Sequence, residues 1–149
     1  MIRLQREGCP DLDAIRALYA ASPLRRPIGD PARLQRMFDH ANVIISAWDG
    51  DRLVGLLRGW TDFAFDGYIC DLAVHPAHQS QGLGRRLLEA AQGTAEGVQW
   101  VLLASPLAKD YYAKVGWEAI ENGWRLPRPE GMPTYEAYQQ EFAEWAKQA

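Results

Sequence analysis

The sequence is poor in the residues that build metal centres and disulfide frameworks. Of its 149 residues only two are cysteines, Cys9 and Cys70, and neither lies in a CxxC pair or in a cluster with histidine. This pattern argues against a zinc site and against a fold held together by disulfides. We therefore expect a protein that works without a metal.

Long apolar runs and an excess of positive charge are also missing. No apolar stretch reaches the roughly 20 residues of a membrane span, and the first residues lack the apolar core of a signal peptide. The 16 basic and 19 acidic residues give a net charge of -3, which argues against a general nucleic-acid-binding surface. We expect a cytoplasmic protein without membrane or nucleic-acid partners.

The chain has enough apolar residues to form a core. A hydrophobic fraction of 48% over this length predicts one domain spanning 1–149. The apolar periodicity predicts a mixed α/β fold with one sheet, in the order strand, two helices, three strands, helix, strand, helix, strand. The predicted strands lie near Ile2 and Leu4, at 43–48, 53–60, 68–74 and 98–104, with one or two more in 117–120 and 124–126. Asp11 caps the first predicted helix, and Asp30-Pro31 begins the second. Three further helices are predicted at about 82–93, at 107–116 and, at the end of the chain, at 134–149.

Two glycines stand where strand 68–74 gives way to a helix, in the stretch Gln79-Ser80-Gln81-Gly82-Leu83-Gly84. The free N–H groups of a helix start, together with the helix dipole, attract an anion such as a phosphate. The stretch lacks the Gly-Lys-Ser/Thr ending of a Walker A loop, and the third glycine of a GxGxxG motif would fall at Leu87. The local pattern alone supports a phosphate loop and a tight helix–sheet turn equally well.

The wider context of these glycines resembles the acetyl-CoA loop of the GNAT N-acetyltransferase superfamily. The family pattern L-x-V-x-P, then Gln/Arg-x-x-Gly-x-Gly/Ala and a helix, is matched by Leu72, Val74, Pro76, Gln79, Gly82 and Gly84. A second family signature is matched in SPLAKDYYAKVGW by Ala108, Tyr111, Tyr112, Lys114, Gly116 and Trp117. Ser105 stands where the family has asparagine, and Trp117 where it has phenylalanine. The resemblance covers about 43 to 126 well.

The resemblance implies a fold, a cosubstrate and a set of binding residues. The fold would be the GNAT acyl-CoA N-acyltransferase fold, with a mostly antiparallel sheet that splays at the cofactor strand and is flanked by helices. The cosubstrate would be acetyl-CoA, and the acetyl group would pass directly to a primary amine in a ternary complex. The implied cofactor contacts are Leu72, Ala73 and Val74 for the pantetheine arm, Gln79, Ser80, Gln81, Gly82, Leu83, Gly84 and Arg85 for the phosphates, and Ser105.

The resemblance also implies catalytic roles. Tyr112 matches the family's general acid, and the backbone N–H near Val74 would stabilise the developing oxyanion. Asp71 is a candidate to accept the amine proton through water or to attract a cationic substrate, whereas its position alone favours a polar residue at the start of a strand. Strand alternation places Cys70 and Asp71 on opposite faces unless a bulge turns one of them. An acetylated Cys70 is a further alternative.

The acceptor and the partners stay open at this point. Arg25 and Arg26 fit an anionic group on the acceptor, whereas Asp62 and Asp66 fit an ammonium. The acceptor is a small-molecule or protein amine, and homodimers are common in the family. Three rival functions remain: a non-catalytic acyl-CoA-binding sensor of the same fold, a nucleotide-phosphate-binding protein, and a partner-binding domain that uses the helix 134–149.

Overall fold

The computed structural model of the chain describes residues 1–22, 24–105 and 108–129. Strands and helices follow one another in the predicted order up to α4, and the mixed α/β prediction is confirmed. The strands are β1 (Ile2–Gln5), β2 (Val43–Asp49), β3 (Arg52–Thr61), β4 (Asp66–Val74) and β5 (Gln99–Leu102). The helices are α1 (Leu12–Ala21), α2 (Pro31–Asp39), α3 (Leu83–Gln92) and α4 (Tyr111–Lys114), with a short 3-10 turn at Pro76–His78.

The five strands form one sheet in the order β1-β2-β3-β4-β5. The first four pair antiparallel, and β5 adds to β4 in parallel after the crossover through α3. Each face of the sheet carries its own apolar cluster. On one face α3 packs through Leu83, Leu87 and Leu88 onto Val54 and Leu57, and on the other α1 and α2 cover Leu53 and Leu56.

The two predicted N-caps have different outcomes. The Asp30 carboxylate accepts a hydrogen bond from the Arg33 N–H (3.1 Å) with Pro31 as the first helical residue, so the predicted start of α2 is confirmed. Asp11 precedes α1 but its side chain makes no capping bond; only its carbonyl accepts, from the Ile15 N–H at 3.1 Å.

The C-terminal part of the described chain departs from the sequence prediction. Strand β5 is shorter than the predicted 98–104, because only four of its residues pair with β4. Helix α4 covers one turn rather than 107–116. No strand forms between 117 and 129, so the predicted final strands are wrong there, and residues 118–129 are exposed throughout. The predicted helix 134–149 lies outside the described residues.

Among the described residues, none of the helices has both the length and the apolar character needed to cross a membrane.

Candidate functional site

The sheet opens between β4 and β5. The two strands pair from Asp66–Gln99 to Ile69–Leu102 and no further, whereas β4 stays paired with β3 as far as Val74–Gly55. The second half of β4, from Cys70 to Val74, therefore has β3 on one side and no strand on the other within the described chain. We call this side of residues 70–74 the open edge.

Strand alternation decides which backbone groups point to the open edge. The His75 N–H donates to the Val54 carbonyl on β3 at 2.8 Å, so every second residue before it also points to β3. The N–H groups of Leu72 and Val74 are therefore directed to the open edge. The Val74 carbonyl on that edge accepts from the Gln79 side-chain amide at 3.1 Å. The backbone of Ala73 is directed to β3 and its side chain is buried, and its contact with the cofactor stays a prediction.

The loop after β4 leads the chain to the start of α3 in the conformation that a glycine permits. Gly82 is the residue before the helix and has a φ of 77°, in the left-handed region, with open space where a Cβ would stand. Ser80 also has a positive φ, of 61°. No side chain caps the helix, so the N–H groups of its first turn are left for an external acceptor.

Gly84 has a different reason to lack a side chain. A Cβ at this position would lie 2.6 Å from the Tyr111 hydroxyl oxygen, so the hydroxyl occupies the space that an alanine would need. The glycine thus lets α4 approach the first turn of α3. The two glycines thus have different causes: Gly82 is needed for its left-handed backbone, and Gly84 is needed because a side chain would clash with Tyr111.

The remaining predicted cofactor residues differ in exposure and partners. Ser80 and Gln81 are exposed on the loop, whereas the Leu83 side chain is buried in the core. Arg85 is exposed at the first turn of α3, where its Nε lies 3.0 Å from Glu89 Oε1. Ser105 follows β5, and its carbonyl accepts from the Ala108 N–H at 2.9 Å. The structure leaves the cofactor roles of these residues as predictions.

Tyr112 lies half-buried at the start of α4, between two aromatic rings. Its ring centroid is 5.4 Å from that of Tyr111 and 6.0 Å from that of Trp117, both edge-on. Burial is the larger cause that raises the pKa of Tyr112, and the neighbouring Tyr111 raises it further. A tyrosine with a raised pKa stays protonated at neutral pH, which a proton donor requires.

Asp71 lies at the centre of a buried charged cluster, which we call the Asp71 cluster. Its carboxylate accepts from Tyr19 Oη (2.7 Å), from Arg58 Nε (2.6 Å) and Nη2 (3.2 Å), and from Arg26 Nε (2.5 Å). The side chain of Asp71 is 0% exposed. Burial opposes its charge, but Arg26 and Arg58 outweigh burial and lower the pKa of Asp71. A carboxylate with a low pKa and four donors is a poor proton acceptor, so this geometry argues against Asp71 as the general base.

A β-bulge places Cys70 beside this cluster. The pairing of β3 with β4 runs from Arg58–Asp71 directly to Gly59–Ile69, so Cys70 is the extra residue. Arg58 Nη2 lies 3.0 Å from Cys70 Sγ as well as bonding to Asp71. The bulge is the exception to strand alternation that the sequence analysis allowed for. Burial and then Asp71 raise the pKa of the Cys70 thiol, which argues against a nucleophilic thiolate.

Two residues of the Asp71 cluster, Tyr19 and Arg58, were missed from the sequence as site residues. Tyr19 fits the apolar face of α1, whereas Arg26 was already predicted as a candidate for an anionic group on the acceptor. Arg58 carried the clearest signal, because an arginine inside the apolar stretch LVGLLRGW needs a buried counter-charge. Its guanidinium carbon lies 5.6 Å from the Phe38 ring centroid and 5.1 Å from that of Trp60. The described residues contain no group of three potential metal ligands.

Comparison with known proteins assigns the chain to a family. A family model for the acetyltransferase (GNAT) domain matches residues 23–125, which is more than half of the chain. The chain belongs to the GNAT acetyltransferase family. The sequence-based recognition of the family is confirmed, and membership of this family supports a transferase.

Several proteins are similar to this GNAT domain. An uncharacterized N-acetyltransferase ycf52-like of Prochlorococcus marinus is 31% identical over 108 residues, which cover 68% of this chain and 58% of that protein. A probable acetyltransferase of unknown function from meticillin-resistant Staphylococcus aureus has a solved structure with a TM-score of 0.70 at 23% identity, covering 86% of this chain and 100% of that one. An aminoglycoside N-acetyltransferase in complex with CoA gives a TM-score of 0.65 at 14% identity, covering 86% and 95%.

These similarities differ in the share of each protein that they cover and in sequence identity. The chain spans between 29% and 58% of the length of the curated relatives that it matches. At 23% and 14% identity the two solved structures share the fold.

Proposed function

We propose that this GNAT domain is an acetyl-CoA-dependent N-acetyltransferase that moves an acetyl group to a primary amine by direct attack in a ternary complex. One observation carries the proposal: the open edge of β4 leads directly into the uncapped start of α3. An extended arm with amide groups fits the first feature and a diphosphate fits the second. The related aminoglycoside N-acetyltransferase, which has the same fold, is known in complex with CoA.

The residues that would hold the cosubstrate follow from the backbone geometry. The outward-directed N–H groups of Leu72 and Val74 would bind the cosubstrate, that of Val74, next to the phosphate loop, pairing with the pantetheine arm as an added strand does. The N–H groups of residues 80–84 would bind the phosphates, with Arg85 adding positive charge close by. Acetyl-CoA would supply the activated acetyl group and carry the leaving thiol.

The chain's own groups would then act on the reacting atoms. The second outward-directed N–H near Val74, that of Leu72, is preorganised at the open edge further from the phosphate loop and would donate to the carbonyl oxygen as negative charge develops there. The amine nitrogen forms the new bond to carbon, the carbon–sulfur bond breaks, and Tyr112 gives its proton to the sulfur. Asp71 has no part in this transfer, because its lone pairs are occupied by Tyr19, Arg26 and Arg58. The proton released by the amine passes to solvent or to a base outside the Asp71 cluster.

Release of free coenzyme A thiol from acetyl-CoA tests the proposal. The acceptor panel contains amino acids, polyamines, aminoglycosides, arylalkylamines and peptides. We expect amine-dependent thiol release, a fall in kcat of about 100-fold or more for Tyr112→Phe, and a much smaller effect for Tyr111→Phe. Tyr111 is the matched control because it is the adjacent tyrosine of the same helix. Saturable coenzyme A binding without thiol release for any amine would support the acyl-CoA sensor instead.

A further inference from the structure

Arg26 lies at the point where β4 and β5 separate. Its Nη2 donates to the Cys70 carbonyl at 2.8 Å, and its Nε donates to Asp71. Cys70 is the first residue of β4 beyond the last pair with β5, Ile69–Leu102. The guanidinium therefore stands at the closed end of the open edge, next to the segment that the proposed function assigns to the cosubstrate arm.

The Asp71 cluster holds more positive than negative charge. Arg26 and Arg58 share one carboxylate, and within the described residues the structure pairs them with no second acid. Tyr19 adds no negative charge, because burial and Asp71 raise its pKa well above the usual value. The Cys70 thiol is likewise neutral, since its pKa is raised. One positive charge in a largely buried setting thus lacks a counter-ion, which is unfavourable until an anion arrives.

Only one of the two guanidiniums is placed to meet such an anion. The Arg58 side chain is 3% exposed and lies between the rings of Phe38 and Trp60. The Arg26 side chain is 22% exposed. An incoming ligand can therefore reach Arg26, which is held in place by its bonds to Asp71 and to the carbonyls of Cys70 and Arg25.

Asp62, one of the two acidic residues that would suit a cationic acceptor, is engaged by the backbone of its own turn. Asp62 Oδ1 accepts from the N–H groups of Ala64 (2.9 Å), Phe65 (2.7 Å) and Asp66 (3.1 Å), which shapes the β3–β4 turn. These bonds lower the pKa of Asp62 and use its carboxylate for the turn itself. The Asp62 carboxylate is thus committed to the turn, whereas Arg26 stays accessible to an anion.

We propose that the acceptor carries a carboxylate beside its primary amine and that Arg26 binds this carboxylate where β4 and β5 separate. The inference rests on the proposed N-acetyltransferase function and names the chemical class of its acceptor. Arg26 acts in it as a specificity-determining residue: it would fix the end of the acceptor that does not react. The excess positive charge also favours the neutral form of a nearby amine, which is the form that attacks.

Acceptors that differ only at the carboxylate measure its contribution to recognition. For an aromatic, an aliphatic and a basic side chain, we would compare the amino acid, its carboxamide and the decarboxylated amine, following thiol release from acetyl-CoA. We expect kcat/KM for at least one amino acid to exceed that of its carboxamide about 10- to 100-fold, as for a hydrogen bond to a charged group. Carboxamides used as well as the acids would overturn the inference while leaving the proposed function intact.

Variants of the two neighbouring arginines test the residue. Arg26→Gln is expected to raise KM for the amino acid to that of its carboxamide, with the KM for acetyl-CoA unchanged, and Arg26→Lys to keep part of the preference. Arg25→Gln, at the exposed neighbour on the same loop, should keep the full preference. If Arg26→Gln lowered kcat/KM equally for the amino acid and its carboxamide, the role of Arg26 would be structural only and the inference would be overturned. Absence of thiol release with every acceptor would overturn the proposed function, and this inference with it.

Discussion

Replacing Asp71 by asparagine keeps the size of the side chain and removes the only carboxylate of the Asp71 cluster. The two guanidiniums of Arg26 and Arg58 would then share a buried site without a counter-charge, and up to four hydrogen bonds would weaken. Breaking a buried ion pair from one side costs about 3–5 kcal/mol. Because a domain of this kind has about 5–15 kcal/mol in total, the variant should fold but be much less stable.

Urea unfolding followed by circular dichroism measures this loss. We expect the free energy of unfolding to fall by about 3–5 kcal/mol at an unchanged m-value, and the Tm to fall by about 10 °C. Asp51→Asn is the control, since Asp51 is exposed on the β2–β3 turn, and it should change stability by less than about 0.5 kcal/mol. Equal small effects for the two variants would refute the assignment of a buried, charge-paired Asp71.

The same cluster predicts a pH dependence. The pKa of Asp71 is lowered from its ordinary value of 3.8 in the folded state. Its stabilising contribution is therefore complete above the unfolded-state pKa and is lost as the pH falls from about 4 through the folded-state pKa. Wild type should lose stability over this acid range more steeply than Asp71→Asn, as measured by urea unfolding between pH 2 and 7. Parallel profiles would contradict a paired carboxylate at this position.

Further predictions concern the loop and the helices that flank it. Gly84→Ala should lower the free energy of unfolding by about 1–3 kcal/mol, because the new methyl group meets the Tyr111 hydroxyl. The double variant Gly84→Ala/Tyr111→Phe should recover part of this loss in urea unfolding. Strictly additive effects of the two substitutions would refute the contact. Gly82→Ala should cost about 1 kcal/mol through its left-handed backbone alone, with no recovery from Tyr111→Phe. Asp30→Ala should cost about 1 kcal/mol by removing the cap of α2, and an unchanged midpoint would contradict the cap.

The sequence predicted the elements that depend on local patterns. Apolar periodicity located β2, β3, β4 and α3, and the spacing of Gly82, Gly84 and Tyr112 indicated the family. These signals are local because a strand alternates every two residues and a helix start needs its particular backbone.

What the sequence could not show depends on contacts between distant segments. In the sequence Asp71 is one polar residue in a strand. Only the fold brings Tyr19, 52 positions away, and Arg26, 45 positions away, into contact with it. The bulge at Cys70 is equally invisible, since it consists in how β4 pairs with β3. The missing final strands follow from the same limit: an apolar stretch such as WRL becomes a strand only where a partner edge is available.

Amide hydrogen exchange at β4, measured by NMR with and without coenzyme A, tests the central claim most directly. The N–H groups of Leu72 and Val74 should exchange faster than those of Ala73 and His75 in the free protein, because the latter are directed to β3. Saturating coenzyme A should slow exchange at Leu72 and Val74 by at least about tenfold. Unchanged exchange at these two amides with millimolar coenzyme A would contradict the account that the open edge of β4 binds the cosubstrate.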